Sequence, residues 1–153
     1  MDRPQALSRL GLIAGSFERL LGRPLVSTGS SGQSPEHLAE ALWNAPAVIV
    51  AHGTEPDPIF FYGNRQALTL FEMEAGAFTR LPSRLSAEAP LQAERARLLE
   101  RVQRDGFIAD YAGVRVSATG RRFRIEQAVV WNLIDEQGAC HGQAATFDRW
   151  TTL

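Results

Sequence analysis

Apolar residues between positions 47 and 73 follow first the period of strands and then that of a helix. Residues 47–52 form a short, β-branched apolar run, which is typical of a buried strand. Residues 53–58 contain two prolines and cannot continue a sheet, because proline lacks the amide donor. Residues 59–62 are aromatic and predict a second strand that pairs back on the first.

A helix is predicted directly after this second strand. Asn64 has the side chain of an N-cap residue, whose oxygen accepts a hydrogen bond from the first helical turn. Ala67, Leu68 and Phe71 then follow at helical spacing. This compact strand–turn–strand–helix unit predicts the opening of an α+β domain.

The N-terminal third predicts a helix with a regular apolar stripe. The stripe has three- and four-residue spacings and consists of Leu7, Leu10, Ala14, Phe17 and Leu21. Two interpretations remain open: the helix lies on the domain's own sheet, or it joins two copies in a homodimer. Residues 26–34 are small and polar and predict a linker, after which Ser34 caps a second helix.

The second half of the chain predicts a long helix followed by a sheet. Residues 90–105 have helical spacing, with Leu91, Leu98, Leu99 and Val102 facing inward. Residues 107–117, 122–134 and 139–147 then alternate as strands joined by two turns. With the two early strands they predict a five-stranded antiparallel sheet in an α+β fold.

Several long strings of this chain resemble one family. They are HGTEPDPIFFYGNRQALTLFEM, LPSRLSAE and GVRVSATGRRFRIEQAVVWNLIDEQGACHGQAATF, and they are similar to the MEKHLA domain family, in its free-standing bacterial form. The resemblance implies a PAS-like sheet with helices on one face and an N-terminal helical extension. It divides the chain into residues 1–33, a helix and linker, and residues 34–150, the PAS-like domain.

Composition limits the partners and the compartment. The formal net charge of −1 offers no electrostatic footprint for direct contact with nucleic acid. Cys140 is the only cysteine, so no internal disulfide forms, which favours a reducing compartment. No apolar run reaches the roughly 20 residues of a membrane span. We therefore expect a cytoplasmic protein.

One polar residue interrupts the apolar face of the longest predicted strand. Gln127 falls in phase with Ile125 and Val129, and a buried amide without partners costs about 1–3 kcal/mol. Two interpretations follow: nearby backbone groups bind the amide, or it contacts a small ligand between sheet and helices. In the second interpretation Gln127 reaches into a chamber beneath the sheet.

Further ligand-binding candidates accompany Gln127. His52 lies in phase with two inward valines, so it either bonds to the following turn or contacts a ligand. In flavin-binding PAS-like domains a polar residue on the last strand often contacts the ligand, and Gln143 occupies that strand here. The set is completed by Tyr62 and Trp131, each a packing residue in the alternative interpretation, and by Asn64.

Other chemistries lack their residues, and the cofactor stays unknown. The three histidines and Cys140 have no zinc-like spacing. LPSRLSAE holds no cysteine, which argues against covalent flavin photochemistry, and residues 90–105 hold no histidine for haem. We expect a sensory or regulatory module rather than an enzyme, which binds a small molecule or partner protein and signals through dimerisation or a separate effector. The alternatives are a ligand-free interaction domain and a small enzyme that uses the cavity.

Overall fold

A computed structural model describes residues 3–26, 34–87 and 89–153. The helices are α1 (Arg3–Leu21), α2 (Pro35–Trp43), α3 (Arg65–Phe71), α4 (Ala75–Phe78) and α5 (Ala89–Asp105), with a 3-10 helix at Ser83–Ser86. The strands are β1 (Val48–His52), β2 (Phe60–Gly63), β3 (Phe107–Val116), β4 (Arg122–Ile134), β5 (Cys140–Phe147) and β6 (Arg149–Thr152). The predicted linker falls largely outside the described residues, as do the side chains of Leu91 and Leu99.

The strands form one antiparallel sheet in the order β2-β1-β5-β4-β3, and this confirms the predicted α+β fold. A sixth strand, β6, was not predicted. It continues the line of β5 and pairs with the first half of β4, whereas β5 pairs with the second half. The long strand β4 therefore pairs with three strands, β3, β5 and β6, and helices α1 and α5 contact it from opposite faces.

Each face of the sheet has its own apolar core. On one face, α1 and α2 pack against residues that include Ile49, Val129, Trp131 and Leu133. On the other face, α3 and α4 pack against residues that include Val50, Phe123, Ile125 and Phe147, and α5 adds Leu98 and Val102 over Ile108 and Val130. Among the described residues, no helix combines the length and apolar character that crossing a membrane requires.

Helix α1 lies on the protein's own sheet, as the first of the two interpretations of its stripe predicts. Ile13, Ala14 and Phe17 are buried in the core of that face. The Trp131 indole Nε1 donates to the carbonyl oxygen of Ile13 at 3.2 Å, and the Phe17 ring meets the indole edge-on, with centroids 4.9 Å apart. The N-terminal helix is thus part of the sheet's packing rather than a free extension.

A bulge in β4 changes which side chains face the helices. Gln127 has a φ of 52°, in the left-handed region, and its side chain is exposed. The pairing with β3 shifts register here, so that one extra residue is inserted in β4 between Ile125 and Ala128. The prediction that Gln127 faces a chamber is therefore wrong, because the inserted residue moves Ala128 and Val130 to the face that Ile125 occupies.

Candidate functional site

A small cavity lies between the sheet and the helices α3 and α5. It has a volume of about 70 Å³. Its apolar wall includes Val50, Phe60, Phe71, Leu98, Ile125, Ala128, Val130 and Phe147. Its polar groups come from His52, Ser86, Tyr111, Arg115 and Gln143. A few polar side chains in an apolar wall are the usual composition of a small-molecule site.

Gln143, on β5, is held by a chain of hydrogen bonds that begins at the backbone of α5. The carbonyl oxygen of Val102 can only accept, and Asn132 Nδ2 donates to it at 3.0 Å. Asn132 Oδ1 therefore faces Gln143, whose Nε2 donates to it at 3.0 Å. This chain fixes the orientation of both amides and turns the other end of the Gln143 amide away from Asn132.

The Gln143 Oε1 atom at that other end is buried and has no hydrogen-bond partner. Gln143 is also one of the residues that line the cavity, so this unpaired oxygen belongs to a side chain of the cavity wall. An unsatisfied buried group of this kind costs about 1–3 kcal/mol. Of the residues predicted to bind a ligand, Gln143 is the one with an unused polar atom at the cavity.

Arg115, on β3, supplies the cavity with a cation. The residue is 9% exposed and lines the cavity. Its Nη2 donates to the Tyr111 hydroxyl at 2.8 Å, its Nη1 donates to the Val114 carbonyl oxygen at 3.0 Å, and the guanidinium lies 5.3 Å from the centre of the Tyr111 ring. The sequence analysis missed this residue. A signal existed, because Arg115 shares the parity of Tyr111 and the buried Gly113 along the strand.

His52 ends β1 at the rim of the same cavity. Its ring Nδ1 donates to the carbonyl oxygen of Gly53 at 3.0 Å, the residue directly before the turn at 54–58 to which a bond was predicted. Gly142, on the neighbouring strand, has a φ of 140°, and a Cβ there would lie 2.0 Å from the His52 carbonyl oxygen. Only glycine therefore allows β5 to pass this close to His52.

Asn64 is fully buried and acts as a structural brace. Its Oδ1 accepts from Ala67 N at 3.0 Å as the predicted N-cap of α3, and also from Ile49 N at 3.1 Å. Its Nδ2 donates to Leu42 O at 3.0 Å and to Ala47 O at 2.9 Å. These four bonds tie α2, β1 and α3 together and use both ends of the amide. Asn64 does not line the cavity, so its geometry gives no support to a ligand contact.

Tyr62 and Trp131 lie on the opposite face of the sheet, in the core beneath α1. Trp131 is fully buried and bonds to Ile13, so the structure uses it for packing. The Tyr62 hydroxyl is buried without a partner, and this burial raises the pKa of Tyr62. Neither side chain lines the cavity, and with the exposed Gln127 they form no common site with Gln143 and His52.

No metal site accompanies the cavity in the part of the chain that the structure describes. Within residues 3–26, 34–87 and 89–153, no three His, Cys, Asp or Glu side chains come together in a way that holds a metal ion. The exposed Cys140 donates to the carbonyl oxygen of Gly142 at 3.4 Å. The arrangement that remains is an apolar cavity whose described polar lining includes the Gln143 amide, the Arg115 cation and the His52 ring.

Solved structures with a similar fold are PAS and light-oxygen-voltage domains. A PAS domain from Colwellia psychrerythraea superposes with a TM-score of 0.60 at 16% identity, over 77% of this chain and 95% of that chain. An RNA-binding light-oxygen-voltage receptor superposes with a TM-score of 0.62 at 18% identity, over 76% of this chain and 34% of that chain. At these identities the comparison establishes the fold alone.

Sequence relatives occur among plant transcription factors. The homeobox-leucine zipper protein HOX29 of Oryza sativa subsp. indica is 24% identical over 98% of this chain, and REVOLUTA of Arabidopsis thaliana is 25% identical over 97% of it. This chain spans only 18% of the length of each of these proteins. The sequence model of the MEKHLA domain matches residues 7–152. The chain therefore belongs to the MEKHLA domain family and has a PAS-like fold.

Proposed function

We propose that this protein is a sensory or regulatory module that holds a small molecule in the cavity between its sheet and α5. The observation that carries the proposal is Gln143, a residue of the cavity wall whose buried Oε1 has no hydrogen-bond partner. A ligand that donates a hydrogen bond to this oxygen would remove its desolvation penalty. The MEKHLA and PAS-like relationships support a sensory role and give no support to an enzyme.

The size of the cavity limits the proposed ligand to a compact molecule. A cavity of about 70 Å³ is far smaller than the roughly 300–1,000 Å³ of sites for drug-sized ligands. A flavin, which the resemblance to light-oxygen-voltage domains brings to mind, does not fit this volume. We therefore do not propose a flavin as the ligand, and we expect Gln143 to contact a much smaller molecule.

The test is native mass spectrometry of the protein purified from its own host. We expect a bound organic compound in the wild-type protein and a bound fraction reduced roughly tenfold or more in Gln143→Leu. Gln127→Leu is the matched control, because it makes the same substitution at an exposed position and should retain the compound. Wild-type protein without any bound compound, or equal occupancy in the two variants, would contradict the proposal.

A second candidate function is a protein-interaction domain without a ligand. The observation that favours it is the small volume of the cavity, which apolar side chains come close to filling. In that case Gln143→Leu should leave partner binding unchanged, and its effect on stability should be within about 1 kcal/mol, because it removes the unsatisfied Oε1 and also the donor to Asn132 Oδ1. Partner binding that survives this substitution, measured with purified partner protein, would support the second function over the first.

Output, in our proposal, passes through the sheet to α1. Gln143 pairs with Asn132 in the ladder, and the next pair, Ala144 with Trp131, points to the opposite face, where Trp131 bonds to Ile13. A displacement of Gln143 would therefore be passed to α1 through the neighbouring residue Ala144 and its partner Trp131. There it would alter a homodimer formed through the half-exposed Leu7, Leu10 and Leu21, or a contact with a separate effector.

The dimer is testable by gel filtration with light scattering. Leu7→Glu should convert a dimer into a monomer without loss of helicity, because Leu7 is only partly buried and does not pack against the core of that face. A monomer in the wild-type protein would leave the separate effector as the route of output. We further propose a cytoplasmic protein that makes no direct contact with nucleic acid, in keeping with one cysteine and a net charge of −1.

A further inference from the structure

The face of the sheet on which α1 and α2 pack is exposed along the first half of β4. Trp131 and Leu133, in the second half of this strand, are buried in the core beneath these two helices. Before the bulge, Phe123 and Ile125 belong to the core of the other face. Alternation turns their neighbours along β4 to the face of α1 and α2, and these residues are exposed: Arg122, Arg124 and Glu126.

The neighbouring strands β3 and β6 extend this exposed region. In antiparallel pairs, directly opposite residues have their side chains on the same face. The register therefore adds two residues from each strand, opposite the charged residues of β4: Val114 and Val116 from β3, and Arg149 and Thr151 from β6. Both valines are half-buried, and neither belongs to the apolar cores of the described residues. Together with Arg122, Arg124 and Glu126 they form a basic and partly apolar surface, which we call the open half of the face.

The outward side of α2 carries the opposite charge. Glu36, Glu40 and Trp43 are spaced by four and three residues, so they form one stripe along the helix. All three are exposed, and the exposed fraction of Trp43 is 37%. Leu38 and Leu42, on the other side of α2, are buried in the core. The acidic stripe therefore points away from the protein's own sheet.

The acidic stripe and the open half match in charge and in spacing. Arg122 and Arg124 lie two residues apart along β4, which separates their Cβ atoms by about 6–7 Å. Glu36 and Glu40 lie one turn apart on α2, which separates their Cβ atoms by about 5–6 Å. A carboxylate accepts two parallel hydrogen bonds from a guanidinium, so each glutamate suits one arginine. The Trp43 indole suits the same surface, because Trp packs on aliphatic groups and stacks on Arg, and both are enriched at binding hot spots.

We propose that this protein forms a homodimer in which the acidic stripe of α2 in each copy docks on the open half of the other copy. Both surfaces lie on the same side of the sheet, so a two-fold axis forms the contact twice. The nine residues of α2 make a helix about 13 Å long, which matches the width of roughly 10–15 Å of three adjacent strands. The inference rests on the homodimer of the proposed function, to which it adds a contact outside α1.

A mixture of two charge-reversed variants tests the contact. In Glu40→Arg the stripe repels the open half of a second copy, and in Arg124→Glu the open half repels the stripe. Each variant alone should dimerise roughly 10- to 100-fold more weakly than the wild type, because each substitution occurs twice in a symmetric dimer. In an equal mixture both contacts of the mixed dimer are attractive, so analytical ultracentrifugation should show dimers again.

The controls make the same charge reversals elsewhere on the surface. Glu74→Arg and Arg101→Glu are at exposed positions outside the stripe and the open half, and both should dimerise like the wild type. Circular dichroism should show an unchanged fold in all four variants, because every substituted side chain is exposed. Wild-type dimerisation of Glu40→Arg and Arg124→Glu, or a mixture of the two that stays monomeric, would overturn the inference.

Trp43 gives an independent signal for the same contact. Its indole is exposed in one copy, whereas Trp131 is fully buried, so acrylamide should quench Trp43 preferentially. Docking on the open half would shield Trp43, so quenching should fall as the concentration of the wild-type protein rises. Trp43→Phe should remove this dependence on concentration. Constant quenching in a wild-type protein that dimerises would place Trp43 outside the contact and contradict the proposal.

Failure of this inference differs from failure of the proposed function. If Leu7→Glu is a monomer while both charge-reversed variants remain dimers, the homodimer stands on α1 and the docking of α2 falls. If the wild-type protein is a monomer at every concentration, both dimer contacts fall and the open half is left to a separate effector. The compound retained from the host, and its loss in Gln143→Leu, test the sensory site independently of either result.

Discussion

The hydroxyl of Ser16 bonds to both backbone groups of Ile134, donating to its carbonyl oxygen at 3.0 Å and accepting from its amide at 2.9 Å. Ser16 is fully buried in α1, and Ile134 ends β4. The hydroxyl thus forms the two backbone hydrogen bonds that a residue of a neighbouring strand would otherwise form with Ile134. Arg19, one turn later, also donates to the Ile134 carbonyl oxygen.

Ser16→Ala tests how much this contact holds α1 on the sheet. The substitution leaves the Ile134 amide without its partner in a part-buried position, so we expect a loss of about 1–2 kcal/mol in the free energy of unfolding. Urea denaturation measures it. Ser8→Ala, at an exposed position on the same helix, should change the value by less than about 0.5 kcal/mol. Equal values for the two variants would show that the contact adds nothing to stability.

Asn64 should be among the most sensitive polar positions of the fold. Asn64→Ala removes four buried or part-buried hydrogen bonds and strands their backbone partners, so we expect a loss of about 3 kcal/mol or more. Asn64→Asp keeps the acceptor and loses both donors, and should fall between the alanine variant and the wild type. Thermal unfolding followed by circular dichroism compares them. A small loss in both variants would mean that water replaces the amide.

A substitution at the bulge residue Gln127 should raise the free energy of unfolding or leave it unchanged, unlike the two losses predicted above. A glutamine with a φ of 52° is strained, and glycine adopts this conformation without that cost. Gln127→Gly should therefore keep or raise the free energy of unfolding, by up to about 1 kcal/mol. The matched comparison is Ala128→Gly, a buried position beside the bulge, which should lose stability. Destabilisation by Gln127→Gly would show that the exposed side chain makes a contact of its own.

The same bulge marks the limit of what the sequence could predict. Short apolar runs predict the first two strands correctly, and alternation of apolar and polar side chains predicts the next three. It fails at Gln127, since one inserted residue reverses every face downstream and glutamine carries no signal for a positive φ. Glycine or asparagine at that position would have indicated the bulge.

Two further residues show why the site was harder to predict than the fold. Arg115 was missed because an arginine in an alternating strand is typical of a solvated face, whereas β3 here contacts α5 and the 3-10 helix and Arg115 is buried. Gln143 was predicted on its strand, but the orientation of its amide depends on Asn132 and the Val102 carbonyl. Those contacts join β4, β5 and α5, and no local pattern encodes them.

The hairpin between β4 and β5 should be sensitive to acid. Asp135 Oδ2 accepts from His141 Nε2 at 2.7 Å, and its Oδ1 accepts from the amides of Ala139 and Gln137. The His141 bond, followed by the Ala139 and Gln137 amides, lowers the pKa of Asp135 below its usual value. A lowered pKa gives stability that is present above the unfolded-state value, about 4, and is lost as pH falls through the folded-state value.

Melting temperatures measured across the acid range check this linkage. Asp135→Asn should reduce the dependence of the melting temperature on pH below about pH 4, because the group that takes up the proton is gone. Glu136→Gln, at an exposed position on the same hairpin, is the control and should follow the wild-type curve. If the melting temperature of Asp135→Asn depends on pH as strongly as that of the wild type, the acid sensitivity comes from other carboxylates. Glu72 is the next to test, because the hydrogen bond from Ser117 is the largest cause of its lowered pKa.

The division of the chain at residue 33 is testable by truncation. Removing residues 1–33 would expose the face of the sheet that carries Trp131 and Leu133, both fully buried, and would leave the indole Nε1 without the Ile13 carbonyl. Loss of a buried aromatic anchor such as Phe17 alone costs about 3–5 kcal/mol. We therefore expect residues 34–153 to be unfolded or aggregated by circular dichroism and gel filtration.

A peptide of residues 1–33 added in trans is the decisive control for that experiment. If α1 acts through its packing on the sheet, the peptide should restore the melting transition and the fluorescence of the buried Trp131. A shorter deletion, of residues 1–6, should keep both, because Leu10 is the first side chain among the described ones that packs against this core. A fragment 34–153 that melts like the full chain would instead make α1 a separable extension, free to serve a homodimer or an effector.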